Sequence, residues 1–288
     1  MDRQGVGGAT TAFLGDIVMN AVSAQRPVEE TNLVAHELTT ETLLQLASRE
    51  IGAIHVRNFY PEDISARFSE KAMNHPALGH YHKKYTSSVG RVYMPHIDTK
   101  WKAEEIDKYH NAALPSINDV RAMYFPLLSP VDYVRLLLQE LWPTGANLLR
   151  LHGRTCFVGA FRVFQPTTSE FYPHNDQIDQ ETDAPEIASF INQLVANIYL
   201  KVPEVGGDLQ LWLREPTASE KQTILDVEGL DPASIEPPRV VLHPEVGDLI
   251  IFSSRMLHGV TSCKDTHRVG MAAFIGCPTP DKPLAFWS

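Results

Sequence analysis

In the stretch FYPHNDQ, His174 and Asp176 stand two residues apart at the end of an extended segment. Side chains at i and i+2 of a strand point to the same face, so one imidazole and one carboxylate can reach a single metal ion. A third donor is available in DLIIFSSRMLHGV, where His258 follows an apolar run that reads as a buried strand. Two neutral imidazoles and one carboxylate on one face of an octahedron suit iron(II) and leave three positions open. Those positions fit a bidentate 2-oxo acid and dioxygen. Ten residues beyond His258, after the polar stretch TSCKDTH, stands Arg268. If that stretch closes a hairpin, Arg268 enters the neighbouring strand with its guanidinium directed inward. Its planar fork can hold a carboxylate by two parallel hydrogen bonds, and 2-oxoglutarate carries such a group at its distal end.

Each piece alone is common. The specificity lies in the combination of His-x-Asp at a strand end, a second His about eighty residues later beyond a Gly-Asp turn and a buried strand, and an Arg at +10. Other residues compete for attention. Arg162 lies on a strand twelve residues before His174 and either faces the cavity, touching substrate or cosubstrate, or decorates an edge strand. Asn197 and Tyr199 share one strand face and are candidate polar contacts in the cavity. His80 and His82 would share a face if extended, but Lys83 and Lys84 beside them are poor neighbours for a dication. His152, His243 and His267 read as structural or exposed, Asp208 as turn chemistry and Trp212 as core.

The elements that must position these residues fall into two textures. Residues 1–30, rich in Gly, Ala, Thr and Ser, carry no periodic signal and read as a flexible tail. From 31 to 145 the pattern is mostly helical, with helices expected after Thr39-Thr40, over Pro61 to Met73, Ala103 to Ala113 and Pro130 to Leu141, and a strand in AIHVRNF. From 146 to 288 short strand-like runs follow one another: 147–152, 156–164, 194–202, 208–213, 239–243, 248–254 and 268–276. Gly and Pro punctuate them, which indicates a sandwich or jelly roll rather than a βαβ array. Residues 214–238 read as a surface insertion, and the stretch from His80 to Trp101 as a lid that sets specificity.

Composition narrows the class further. A hydrophobic content of 43% with 21% charged residues is ordinary for a globular protein. No run approaches the ~20 apolar residues of a spanning helix, and the N-terminus lacks the basic region of a secretory signal. Three cysteines without C-x-x-C spacing argue against a disulfide framework or a zinc knuckle, so a reducing cytoplasm is expected. A net charge of −10 disfavours nucleic acid. The expected partner is a small polar or amphiphilic molecule, and oligomeric state is not encoded legibly.

From about residue 145 onward the chain resembles the iron(II)/2-oxoglutarate-dependent dioxygenases. That resemblance implies a mainly β fold with helical additions: a double-stranded β-helix (jelly roll, cupin-like) core with a helical N-terminal layer, in one domain over 31–288. It implies Fe(II), 2-oxoglutarate and O2, with iron on His174, Asp176 and His258 and the oxo acid on Arg268. VPEVGGDL, PEVGDLIIF and the closing AFWS are similar to the hapalindole-type carrier-independent halogenases. Those enzymes have glycine where this chain has Asp176. The departure favours hydroxylation, since a carboxylate fills the position that glycine leaves for chloride. Desaturation, cyclisation or epimerisation would use the same cofactors. A non-enzymatic cupin-like metal-binding protein would not need Arg268, and a zinc hydrolase is disfavoured by the absence of H-E-x-x-H.

Overall fold

The computed structural model describes residues 33–81, 89–167 and 170–288. The expected N-terminal tail lies outside the described residues, as do His82, Lys83 and Lys84. Helices α1 (Thr40–Ala47), α2 (Glu62–Met73), α3 (Ala103–Tyr124) and α4 (Pro130–Leu141) precede the main β region, and α5 (Ala218–Val227) lies within it. The early strands are β1 (Val34–Ala35), β2 (Ala53–Val56), β3 (Leu78–His80), β4 (Gly90–Val92), β5 (Ala146–Leu148), β6 (Arg150–Leu151) and β7 (Arg154–Thr155). Eight strands then carry the barrel: β8 (Ala160–Phe164), β9 (Phe171–His174), β10 (Asn192–Lys201), β11 (Leu209–Leu211), β12 (Val240–Leu242), β13 (Leu249–Ser253), β14 (His258–Val260) and β15 (Arg268–Cys277). Strand β16 (Leu284–Trp287) closes the chain.

The eight strands divide between two antiparallel sheets. In the larger one β13, β10, β15 and β8 are successive neighbours, extended by β1 and β2 on one side and by β4 and β3 on the other. The smaller runs β12-β11-β14-β9. Successive strands mostly switch sheets, which is the winding of a double-stranded β-helix. Helices cover the outer face of the large sheet, and alternation assigns each side chain. On β10, Leu194, Ala196, Ile198 and Leu200 join α1, α2 and α4 in one core, whereas Val195 and Tyr199 point between the sheets with Leu209, Leu211, Ile250 and Phe252. Both faces are buried, so these strands read as continuous apolar runs. Among the described residues no helix is long and apolar enough to cross a membrane.

Local signals explain most boundaries. Thr39 caps α1 through a reciprocal box with Thr42, and Ser129 caps α4 with Pro130 in its first turn. Helix α3 runs to Tyr124, beyond the expected end at Ala113, despite Pro115 inside it. Tyr109, Ala113, Ile117, Val120 and Tyr124 form one buried stripe across the proline. That packing outweighs a proline penalty of roughly 3 kcal/mol. The expected strand at 156–164 begins only at Ala160, and the one at 147–152 splits into β5 and β6. The lid expected over His80 to Trp101 is corrected in part: Gly90–Val92 is a strand of the large sheet, because Arg91 pairs in register with Arg162 of β8. Residues 214–238 are not wholly a surface insertion, since Ile224 and Leu230 pack on Trp212 and Leu257.

The turn that leads into β13 is held by a buried carboxylate. Gly247 has φ +88°, and a Cβ there would lie 2.2 Å from the Tyr60 carbonyl oxygen. Asp248 follows, fully buried, and accepts from His55 Nε2 at 2.7 Å, Arg57 Nη1 at 3.1 Å, and the backbone N–H groups of Asn58 and Glu245 at 3.1 and 2.9 Å. Burial works against its charge, yet the His55 bond and the two backbone donors outweigh burial and hold the carboxyl below the usual aspartate range. Asp248→Asn leaves one acceptor for four donors and should cost about 3 kcal/mol. Because the folded pKa is depressed, this stabilisation is complete above the unfolded pKa of ~3.9 and fades as pH falls through the folded value. Urea melts from neutral to acid pH should show the wild-type advantage shrinking below about pH 4. An advantage that stayed constant with pH would assign the cost to packing.

Candidate metal centre and cavity

Strands β9 and β14 are antiparallel neighbours, and His174 and His258 are direct cross-strand partners. Their rings lie 4.3 Å apart, centroid to centroid. Just past the end of β9, the Asp176 Oδ2 stands 3.9 Å from His174 Nε2 and 3.6 Å from His258 Nε2. One ligand atom from each of the three lies within 4.8 Å of the others, and no other group of three or more metal-binding side chains occurs among the described residues. The sequence-expected triad is therefore assembled in space.

The tautomers follow from the hydrogen bonds. His174 Nδ1 sits 2.7 Å from the Tyr172 carbonyl oxygen, and His258 Nδ1 2.9 Å from that of Met256. A carbonyl can only accept, so each Nδ1 carries a proton and each Nε2 is the ring nitrogen that faces Asp176 and the partner imidazole. Phe171 stacks edgewise on His174 at 5.5 Å, and Phe252 on His258 at 5.0 Å. The backbone of Asp176 is pinned as well: its N–H donates to the Ser254 carbonyl at 2.8 Å, and its carbonyl accepts from Gln193 Nε2 and Ser254 Oγ, each at 3.2 Å. Gln193, Ser254 and the buried neighbours Asn175 and Gln177 were not legible as site residues, since amides and hydroxyls carry no spacing signature.

A cavity between the sheets is lined by His258, Arg268, Arg162, Asn197 and Tyr199, with Phe164, Phe171 and Phe252 among the apolar walls. All four further candidates from the sequence thus reach one space. The route to Arg268 differs from the expectation. Residues 261–267 do not close a hairpin: β14 belongs to the small sheet and β15 to the large one, so the segment crosses between them. Arg268 still faces inward because it shares the parity of Gly270 and Ala272. The Gly206-Gly207 turn passes close by. Gly207 has φ +73°, and a Cβ on it would meet Pro203 Cγ at 2.8 Å and Arg268 Cδ at 3.3 Å.

Arg268 is buried at 6% exposure, and its guanidinium lies over the rings of Phe164 and Tyr199 at 4.7 and 5.0 Å. Nη2 reaches the Tyr199 hydroxyl at 3.4 Å, a long bond, and Nη1 is buried with no hydrogen-bond partner. A buried cation with an idle donor is costly unless an anion joins it. Burial pushes the Tyr199 hydroxyl up, and Arg268 only partly offsets this, so the phenol keeps its proton. Arg162 is not on an edge: β8 lies between β15 and β4. Among the remaining histidines, His80 is exposed on β3, His243 pairs with Asp208 at 2.7 Å, and His267 with Gln165 at 2.8 Å. Trp212 is core, as read from the sequence.

A family model described as carrier-protein-independent halogenase WelO5 matches residues 31–288. The chain belongs to this family. The family match spans both the helical layer and the barrel. Two curated relatives are also similar. One is an L-gamma-glutamyl-L-propargylglycine hydroxylase of Streptantibioticus cattleyicolor, 26% identical over 164 residues, covering 55% of this chain and 59% of the relative. The other is an L-isoleucine 3(1)-dioxygenase of Pantoea ananatis, 26% identical over 147 residues, covering 48% of each. The chain thus spans about half the length of the curated relatives it matches. Crystal structures of an N-substituted L-amino acid dioxygenase from Burkholderia ambifaria, one of them in complex with alpha-KG, superpose with TM-scores of 0.59 and 0.58. They are 16% and 15% identical and cover 86% of this chain and 91% of theirs. The family member described here shares their fold.

Proposed function

We propose that the chain is a non-haem iron(II)- and 2-oxoglutarate-dependent oxygenase that hydroxylates an unactivated C–H bond of a small molecule. The observation that carries this reading is the meeting of three ligand atoms beside a cavity that His258 lines and whose lining also holds a buried guanidinium with an idle Nη1. The donor set suits iron(II), and Arg268 suits the distal carboxylate of the oxo acid. When bound, iron and 2-oxoglutarate with dioxygen supply the oxidation: one oxygen atom goes to the substrate carbon, the other to succinate, and carbon dioxide leaves. The protein's part is positional. His174 and His258 present their Nε2 atoms, each Nδ1–H donating to a backbone carbonyl; Asp176 would supply the carboxylate donor; Tyr199 keeps a proton that it can donate beside Arg268. The relatives' substrates make free and conjugated amino acids the first class to screen. Three buried free cysteines are consistent with a reducing, cytoplasmic setting, and the net charge of −10 with a small-molecule partner rather than nucleic acid.

Asp176 decides between hydroxylation and halogenation within the family. With His174, Asp176 and His258 all available as donors, a bound iron would lack the position that a missing carboxylate would leave for chloride. Reactions run in concentrated chloride and in bromide should both give a product one oxygen atom heavier. A halogen isotope pattern in the main product would show that Asp176 is not a ligand.

A further inference from the structure

We propose that Arg162 is a second carboxylate anchor, so that the substrate is a small organic acid with an apolar body; this rests on the oxygenase reading above. Arg162 lines the cavity from β8, directly opposite Gly270 of β15, while Arg268 pairs with Phe164. The two arginines are therefore diagonal neighbours on one face, a separation of about 7–8 Å with the Cβ atoms somewhat closer. Both Arg162 Nε and Arg268 Nη1 are buried without a hydrogen-bond partner. No described residue lining the cavity is acidic. Burial opposes the charge of Arg162, but the nearby Tyr81 hydroxyl, Asp176 and Tyr199 hold it above the ordinary arginine range, so it stays a cation.

Charge balance then points to a second anion. Iron(II) and the two guanidiniums exceed the single charge of Asp176 by three, and 2-oxoglutarate returns only two of these. Its distal carboxylate is assigned to Arg268 and its other end to the metal. A planar fork with a free Nε–H favours a carboxylate as the remaining anion. The apolar body follows from Phe164, Phe171, Phe252 and Ala272 on the same walls.

The test uses full-length, iron-loaded protein and a panel of free and N-acetyl aliphatic L-amino acids, each as acid and as carboxamide, read by substrate-triggered succinate release. Wild type should prefer an acid over its carboxamide by at least ~30-fold in kcat/KM, the size expected for a lost buried charge pair. Arg162→Leu should abolish that preference, and Arg162→Lys, which keeps the charge but not the fork, should retain part of it. Arg162→Gln serves if the leucine variant does not fold. Meanwhile the concentration of 2-oxoglutarate needed to form its visible complex with the iron should stay near wild type in these variants. A preference that survives in Arg162→Leu, equal use of acid and amide by wild type, or no response to any acid would overturn the inference. So would a matching shift in the 2-oxoglutarate titration, which would assign Arg162 to the oxo acid. Absence of the iron complex in wild type would instead overturn the oxygenase reading, and this inference with it.

Discussion

Alanine in place of His174 or His258 should bring succinate release to background while circular dichroism stays near wild type. On the proposed assignment each histidine supplies one of three donors, and neither imidazole carries the fold: the ladder between β9 and β14 is made by backbone, and the cores that hold the sheets together lie elsewhere. Changing a group that merely orients a metal ligand costs ~10–100-fold in affinity or activity, so deleting the ligand itself should cost more. Bound iron, measured after dialysis against a weak chelator, should fall in step with activity. Full iron and full activity in both variants would remove the metal assignment.

Arg268→Ala should act on 2-oxoglutarate rather than on iron. The guanidinium is buried between two aromatic rings, and its removal would leave the distal carboxylate of the oxo acid desolvated and unpaired. Truncating one partner of a buried charged pair costs ~2–5 kcal/mol, which is roughly a 30- to 5000-fold rise in the 2-oxoglutarate requirement. Iron affinity should change little, because no metal ligand touches Arg268 through a hydrogen bond. Arg268→Lys should recover part of the loss as a point charge without the fork. An unchanged requirement in Arg268→Ala would place the anchor elsewhere in the cavity.

The residues behind both predictions were legible because their chemistry is written in type and parity. His174 and Asp176 announce a shared face by an i, i+2 spacing, and the barrel strands announce themselves because β10, β13 and β15 are buried on both faces. What escaped was long-range. The hairpin expected before Arg268 is a crossing between sheets, and nothing local in TSCKDTH distinguishes the two; the inward direction was right because parity along β15 depends on the strand alone. The second half of α3 escaped because it lies beyond Pro115, a local helix breaker, and the buried stripe that carries the helix past it exists only in the fold. Arg162 could be read as edge or interior until β4 was known to pair outside it. Gln193 and Ser254, which pin the Asp176 carbonyl, are ordinary polar residues in the sequence and acquire their role only where β10 and the end of β13 meet the loop after β9.

The most direct measurement of the central claim needs no substrate. Iron(II) is added anaerobically to the purified chain, followed by 2-oxoglutarate, and the visible metal-to-ligand charge-transfer absorption of the chelated oxo acid is followed against concentration. Wild type should develop the band with saturation at about one iron per chain, as a single three-donor site requires. The band should be lost in His258→Ala and need far more 2-oxoglutarate in Arg268→Ala. A wild-type protein that binds no iron, or a band equally strong in His258→Ala, would contradict the site built from His174, Asp176 and His258.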